Sequence, residues 1–498
     1  MGHDRGAHLP VQSSGAIVTR RSFLQHAGWV IAAAALPPGA GMAAEPVSSV
    51  MAELSTYMGE AHSHALPDEV VEKVKQHVLD TLAAMVSGSE LPPGRAAIRL
   101  ARGYGGEPVA TVIGSKILCG PIEAALTNGM LAHSDETDDS HAPSQSHPGC
   151  AVVPATLAVG EQFGIDGTHF FRAVALGYDI GPRVTMTLGG VDFQAETHRD
   201  THSIAGVFGA AAAAGCAASL NAQQMRWVLD YAAQQSSGIA AWQRDIEHIE
   251  KAFVFAGMPA RSGATAALVV QSGWTGIDDI LSGPDNFLLA NAPQANPAKL
   301  LEKLGERYEV TRTNIKKWTV GSPIQAPLDA LAILMKQHHF EAEEVQQVTV
   351  RVATQEATVV DNREMPDICL QHMMAVMLVD KTASFRSAHD KARMQDPVIL
   401  RQRAKVQLVP DEELEHRLPR REAMVEVTLA DGTRLREHVE AVRGTADNPM
   451  TRDEIVAKCR DLMAPVLGSA ACTNLIERVL ALESAKDIRE LRPLVQGT

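Results

Sequence analysis

The chain has 498 residues, of which 45% are hydrophobic and 21% charged. That globular balance excludes wholesale disorder and leaves ample length for a large core. A formal net charge of −14, from 45 Lys and Arg against 59 Asp and Glu, argues against a nucleic-acid scaffold, which needs a basic surface.

Residues 1–44 read as an export segment outside the fold. Thr19-Arg20-Arg21-Ser22-Phe23-Leu24-Gln25 is similar to a twin-arginine signal. Ala27 to Ala44 then carries no charged residue, and Gly41-Met42-Ala43 supplies small residues at the exit. Basic start, apolar run and small exit residues in that order make a signal peptide. The expectation is a periplasmic protein, with no membrane contact once the segment is removed.

From about residue 65 to 310 the pattern is helical. Pro67-Asp68-Glu69 opens a run with apolar residues at Val70, Val71, Val74, Val78, Leu82 and Met85, the spacing of an amphipathic helix, and Ser87-Gly88 closes it. A run from Phe170 to Tyr178 is expected to end at Gly181-Pro182. Ala205 to Ala218 is wholly small or apolar and reads as a central, closely packed helix. Asn221 with Gln224 makes a capping box for a helix through Tyr231. After about residue 310 the texture changes. Val345 to Val352 is β-rich, and Met424–Leu429 with Thr433–Val439 reads as a hairpin on a two-residue Asp431-Gly432 turn. Helices return after Thr451.

The fold expected is mainly α, with a large all-helical domain and a smaller α+β lid domain. The expected bounds are the signal peptide at 1–44, the first part of the helical domain at 45–310, the lid at 311–445 and the C-terminal part of the helical domain at 446–498. The six cysteines, Cys119, Cys150, Cys216, Cys369, Cys459 and Cys472, form no CxxC pair. They suit neither a disulfide framework nor a metal cluster, and buried free thiols are expected.

The densest polar cluster runs His133-Ser134-Asp135-Glu136-Thr137-Asp138-Asp139-Ser140-His141, followed by Ser146-His147-Pro148-Gly149. A loop with this many titratable groups beside an apolar helix is a candidate site. Three readings stand: a solvated acidic loop, a metal site of His and carboxylate ligands, and a metal-free acid–base site using His147 and a nearby carboxylate. Glu247-His248 and His338-His339 read as helix-surface polar groups.

The stretch His133 to Pro154 resembles the MmgE/PrpD family, through Asp138-Asp139-Ser140, His147-Pro148-Gly149 and the apolar helix after them. Further resemblances follow in order: Gly206-Val207-Phe208-Gly209, Ala256-Gly257 through Ala260-Arg261-Ser262-Gly263, Gly283-Pro284, then Ser384-Phe385, His389-Asp390 and Asp396-Pro397. Their shared order over roughly residues 50–490 carries the assignment. The resemblance implies a homodimer of two-domain chains, an active site between the domains, and no cofactor or metal. It also implies carbanion chemistry on small polycarboxylates, such as dehydration of 2-methylcitrate, decarboxylation of cis-aconitate or epimerisation of a dicarboxylate.

Carried over residue by residue, it implies catalytic roles for His147, Asp138, Asp139, Glu136 and His202. It implies substrate binding by Ser140, Lys316, Lys251 and Arg261. The sequence departs from the family at several of these. Glu136 stands for an Asp and Ser140 for a Thr. The loop to His147 is one residue longer. His198, Asp200 and His202 compete for one position, with spacing from Gly206 favouring Asp200. Lys251 is one residue out of register, Phe255 falls on a His position, and Gln325 replaces a lid His. The expected function is a cofactor-independent lyase of dehydratase or decarboxylase type. An epimerase on the same scaffold, a non-catalytic periplasmic carboxylate-binding protein and a metal hydrolase are its rivals.

Overall fold

A computed structural model describes residues 46–497. The expected twin-arginine segment, residues 1–44, lies outside the described residues. The chain is mainly helical with a small sheet-bearing part. One hydrophobic core is built by side chains from Met51 to Ile315 and from Met450 to Val495. A second is built by side chains from Val320 to Val442.

The helices Gly167–Leu188 and Thr201–Ala217 cross at the centre of the first core. Every residue of the second helix is buried, because its Ala and Gly residues let neighbours approach on all sides. At Gly181 a Cβ would stand 2.3 Å from the Ala205 carbonyl oxygen, so this crossing requires glycine. The first helix does not end at Gly181-Pro182; it runs on to Leu188. Proline removes one backbone donor, a cost of about 3 kcal/mol, but the preceding glycine has no Cβ to clash with its ring. Burial of Ile180, Val184 and Leu188 offsets that loss. The Asn221–Gln224 capping box is present on both sides and opens the helix Ala222–Gln235.

The run Ile249–Gln271 is long and apolar enough to cross a bilayer by length and composition alone. Its Met258–Gln271 part packs against the central helix through Ala260, Gly263, Ala264 and Ala267. Ahead of it, Phe253–Gly257 winds as a single π turn. Pro259 cannot donate to the Phe255 carbonyl, which instead faces the Cys150 thiol at 3.8 Å.

In the second core, Val345–Ala353 pairs in parallel with Val406–Asp411 and antiparallel with Ala423–Leu429, which pairs with Arg434–Val439. The Ser322–His338 helix packs against this sheet and against Leu370–Asp380. The hairpin closes on three residues, Ala430-Asp431-Gly432, rather than two, since Leu429 and Thr433 still pair. Gly432 takes φ +87°, the left-handed position of that longer loop. All six cysteines are free and buried.

The helix Phe385–His389 helps to seat the sheet-bearing part on the helical one. Phe385 packs on the helical core, and its N–H donates to Asp461 at 2.8 Å. One turn later, His389 Nε2 meets Asp135 Oδ2 at 2.9 Å.

Candidate active site

The acidic loop is not a solvated face: His133 through Asp139 are all buried. Burial of so many polar groups demands partners, and long-range side chains supply them. Lys316 donates to the Glu136 carbonyl at 2.8 Å. Lys458 donates to the Thr137 carbonyl at 3.0 Å and pairs with Asp80 at 2.6 Å. Ser140 and Asn314 exchange backbone bonds at 3.0 and 2.8 Å. Thr201 Oγ1 donates to the Gln145 carbonyl at 2.8 Å.

Asp138 accepts from two histidines, His133 Nδ1 at 3.0 Å and His147 Nδ1 at 3.2 Å. Burial drives the His133 imidazole down to about 3, outweighing the pull of Asp138. Burial also opposes charge on Asp138, but the two histidines override it and hold its carboxyl well below the usual range. Glu136 forms a second knot. Its Oε1 accepts from Lys251 and from His248 Nε2, the latter at 3.1 Å, while Lys316 lies 3.5 Å from Oε2. Burial raises Glu136, yet Lys251, Lys316 and His248 together hold it well below the carboxylate range.

His202 completes the group from the first turn of the central helix. Asp200 caps that helix by accepting from the Ser203 N–H at 2.8 Å, and its other oxygen accepts from His202 Nδ1 and Trp242 Nε1, both at 3.0 Å. Phe255, aimed inward by the π turn, stacks flat on His202 with centroids 3.9 Å apart and also on His133 at 4.8 Å. The His147 and His202 rings stand 5.3 Å apart. Burial pushes His202 down against the pull of Asp200. With both Nδ1 atoms directed at carboxylates, the Nε2 atoms remain for chemistry.

These groups meet at a cavity of about 1000 Å³ lined by Glu136, His147, His202, Trp242, Lys251 and Phe255 among others. Of the expected site residues, Glu136, His147, His202 and Lys251 border it, and Asp138 supports His147 from behind. His198 is exposed on the same cavity, and Asp200 is buried behind His202.

The other expected site residues are placed elsewhere. Asp139 faces away from the cavity, accepting from His77 Nδ1 at 2.8 Å, Tyr178 OH at 2.5 Å and the Gly149 N–H at 3.0 Å. These three contacts tie the loop to the helices that carry His77, Tyr178 and Gly149. Ser140 and Lys316 border a neighbouring cavity of about 230 Å³, and Lys316 is committed to the Glu136 knot. Arg261 is half-buried on the side of its helix away from the buried Ala260, Gly263 and Ala264, and it lines neither cavity. Its expected role as a carboxylate clamp is therefore not supported.

His248 overturns the expectation of a surface group. It is buried, adopts φ +61° and reaches Glu136 across 112 residues of sequence. His389, Lys458 and Asp80 also support this loop, from positions that no local sequence pattern marks. Gln325 does not face the main cavity; it folds back on the Trp318 and Val320 carbonyls at 2.7 and 2.9 Å.

His133, Asp138 and His147, and separately His133, Glu136 and His248, bring ligand atoms within 4.8 Å of one another. Either triad has donors suited to a cation. In the first, however, both Nδ1 atoms are already turned onto Asp138. In the second, Lys251 and Lys316 already neutralise Glu136, and a further cation would meet their repulsion.

A family model described as the MmgE/PrpD N-terminal domain matches residues 52–299, and one described as the MmgE/PrpD C-terminal domain matches residues 318–483. The chain is 25% identical over 486 residues to the cis-aconitate decarboxylase-like protein oryM of Aspergillus oryzae, spanning 91% of this chain and 98% of that protein. It is 24% identical over 485 residues to a cis-aconitate decarboxylase of Aspergillus terreus, spanning 90% and 96%. To the cis-aconitate decarboxylase of Homo sapiens it is 24% identical over 462 residues, spanning 87% and 91%.

Proposed function

The chain belongs to the MmgE/PrpD family and is a lyase-type enzyme, and from that premise we propose that it acts without a cofactor on a small di- or tricarboxylate, through a carbanion formed next to a carboxylate. Decarboxylation leads the reading, because the relatives named above carry that activity in their names. Dehydration is the neighbouring outcome on the same machinery.

One observation carries the proposal: two histidines, His147 and His202, face one cavity, each with Nδ1 held by its own carboxylate. That arrangement presents Nε2 to the substrate as base or, once protonated, as acid. Lys251 borders the same space, and the two lysines Lys251 and Lys316 against the single carboxylate of Glu136 leave one surplus positive charge there to attract a substrate carboxylate. In a decarboxylation, the electron pair of the broken C–C bond passes to the carbon next to the remaining carboxylates. An imidazolium Nε2–H then delivers the proton. In a dehydration, one imidazole removes the carbon-bound proton and the other protonates the departing hydroxyl.

Two bases on one cavity also suit a proton exchange on opposite faces of one carbon, so epimerisation of a dicarboxylate is the second reading. Export by the twin-arginine route and assembly as a homodimer belong to the same proposal, supported by the Arg20-Arg21 motif and by family membership.

The deciding experiment is proton NMR in D₂O with citrate, 2-methylcitrate, cis-aconitate and imino-linked succinate. Conversion of one of them is expected, with solvent deuterium in the product of a decarboxylation or epimerisation and in substrate re-formed after a dehydration, and the product separates the three reactions. Binding without exchange would point instead to a carboxylate-binding protein.

A further inference from the structure

A separate cavity of about 250 Å³ opens on the helical part and shares no lining residue with the main one. Three elements wall it. The helix Ser49–Glu60 presents Tyr57 and Glu60, and the helix Gly167–Leu188 presents Arg172, Ala175 and Leu176. Both sets keep the three- and four-residue spacing that lines one helix face. The third wall is the turn Leu304-Gly305-Glu306, closed by the Glu306 and Arg307 N–H groups donating to the Lys303 carbonyl at 3.1 and 2.9 Å.

The floor is built in advance of any ligand. Tyr57 OH donates to the buried Asp179 at 3.1 Å, and Asp179 pairs with Arg183 at 3.1 Å. Arg183 in turn donates to the carbonyls of Leu300, Glu302 and Arg307 at 3.2, 2.7 and 2.8 Å, which fixes the segment carrying the third wall against the helix. A cavity held by such a network binds with little ordering cost.

Its charges are unmatched. Arg172 donates to the His62 carbonyl at 2.9 Å, and among the described residues it has no ion pair. Glu60 and Glu306 stand exposed on the same cavity, also without an ion pair among the described residues. Between these charges the surface is apolar, through Leu66, Leu176 and Leu304. A guanidinium binds a carboxylate through two parallel N–H bonds. Two unpaired carboxylates attract an ammonium and repel a polycarboxylate, so this cavity selects against the substrate class of the main one. A volume just under the range of about 300–1,000 Å³ that encloses drug-sized ligands suits a smaller molecule.

We propose that this cavity binds an aliphatic α-amino acid, its carboxylate on Arg172, its ammonium towards Glu60 and Glu306, and its side chain against Leu66, Leu176 and Leu304. The site is distinct from the one that carries the lyase reading and does not depend on it.

The test is calorimetry on the full chain with L-leucine, with isocaproate, which lacks the ammonium, and with isoamylamine, which lacks the carboxylate. Leucine is expected to bind, and loss of either ionic group to weaken binding by about tenfold or more. Arg172→Gln is expected to abolish the advantage of leucine over isoamylamine. Glu306→Gln, at an exposed position that the fold does not need, is expected to abolish much of its advantage over isocaproate. Leucine binding no tighter than either analogue, or unmoved by both variants, would overturn the proposal. So would the absence of leucine binding, and if Arg172→Gln then dissociates a dimer in sedimentation, the cavity is assigned to a second copy of the chain instead.

Discussion

His389 of the sheet-bearing part meets Asp135 of the acidic loop at 2.9 Å, both side chains largely buried. Burial works against a charge on His389, but Asp135 and Asp367 outweigh it and raise the imidazole to about 9. A folded pKa above the ordinary value of about 6.5 gives stability that is fully present below that value and lost as pH climbs through about 9. Thermal melts from pH 6 to 10 are expected to show this fall, and His389→Gln is expected to remove most of it. An unchanged slope in the variant would place the titrating group elsewhere.

Asp138 fixes the rings of His133 and His147 together. Asp138→Asn is expected to keep the fold and lower kcat by about 10²–10⁴, because the amide no longer selects the tautomer with Nε2 free. His147→Ala is expected to lose a similar factor. Steady-state kinetics on the substrate found by NMR check both, with circular dichroism confirming the fold.

Lys458 and Asp80 form a buried pair at 2.6 Å. Lys458→Met would leave Asp80 buried without its cation, a loss of about 3–5 kcal/mol. The double variant with Asp80→Asn is expected to recover part of it. Denaturant titrations of the two singles and the double close the cycle.

A Cβ at Gly149 would stand 2.6 Å from both Thr81 Oγ1 and Tyr178 OH, and 2.9 Å from Asp139 Oδ2. Gly149→Ala therefore forces the Asp139 brace apart. A loss of about 1–3 kcal/mol is expected, together with reduced kcat, since Asp138 is the chain neighbour of Asp139. A stability change without any change in turnover would separate the brace from the site.

Dialysis against a chelator is expected to leave turnover unchanged, because Lys251 and Lys316 already neutralise Glu136. Turnover that vanishes and returns with added Zn²⁺ or Mn²⁺ would show that one of the His–carboxylate triads binds a working metal.

Periodicity made much of the helical part legible. The run from Val70 to Met85, the Asn221 cap and the all-small central helix are local patterns, and local patterns survive in a sequence. The hairpin was legible too, apart from its extra loop residue. The parallel strand Val406–Asp411 was not read, since its partner lies some sixty residues earlier and no turn signal joins them. The same distance effect hid half of the site. His248 beside Glu247 looks like part of a solvated helix face until folding carries it 112 residues back to Glu136. Lys458 sits 321 residues from the carbonyl it anchors. Asp139 shows the converse, since neighbouring carboxylates in one motif take different partners, His133 and His147 for Asp138 but His77 and Tyr178 for Asp139.

The split helical core has a bearing on how the protein is made. On the ribosome, residues 320–442 can collapse around their own core soon after they emerge. The helical core cannot do so, because Met450 to Val495 are part of it. Until Lys458 arrives, Asp80 has no cation and the Thr137 carbonyl no anchor. The nascent chain therefore carries an assembled sheet-bearing part on an unfinished helical one, and the acid–base loop is set among the last events of folding. Such late closure by distant contacts makes for slow folding and delays activity until synthesis has passed the last of these helices.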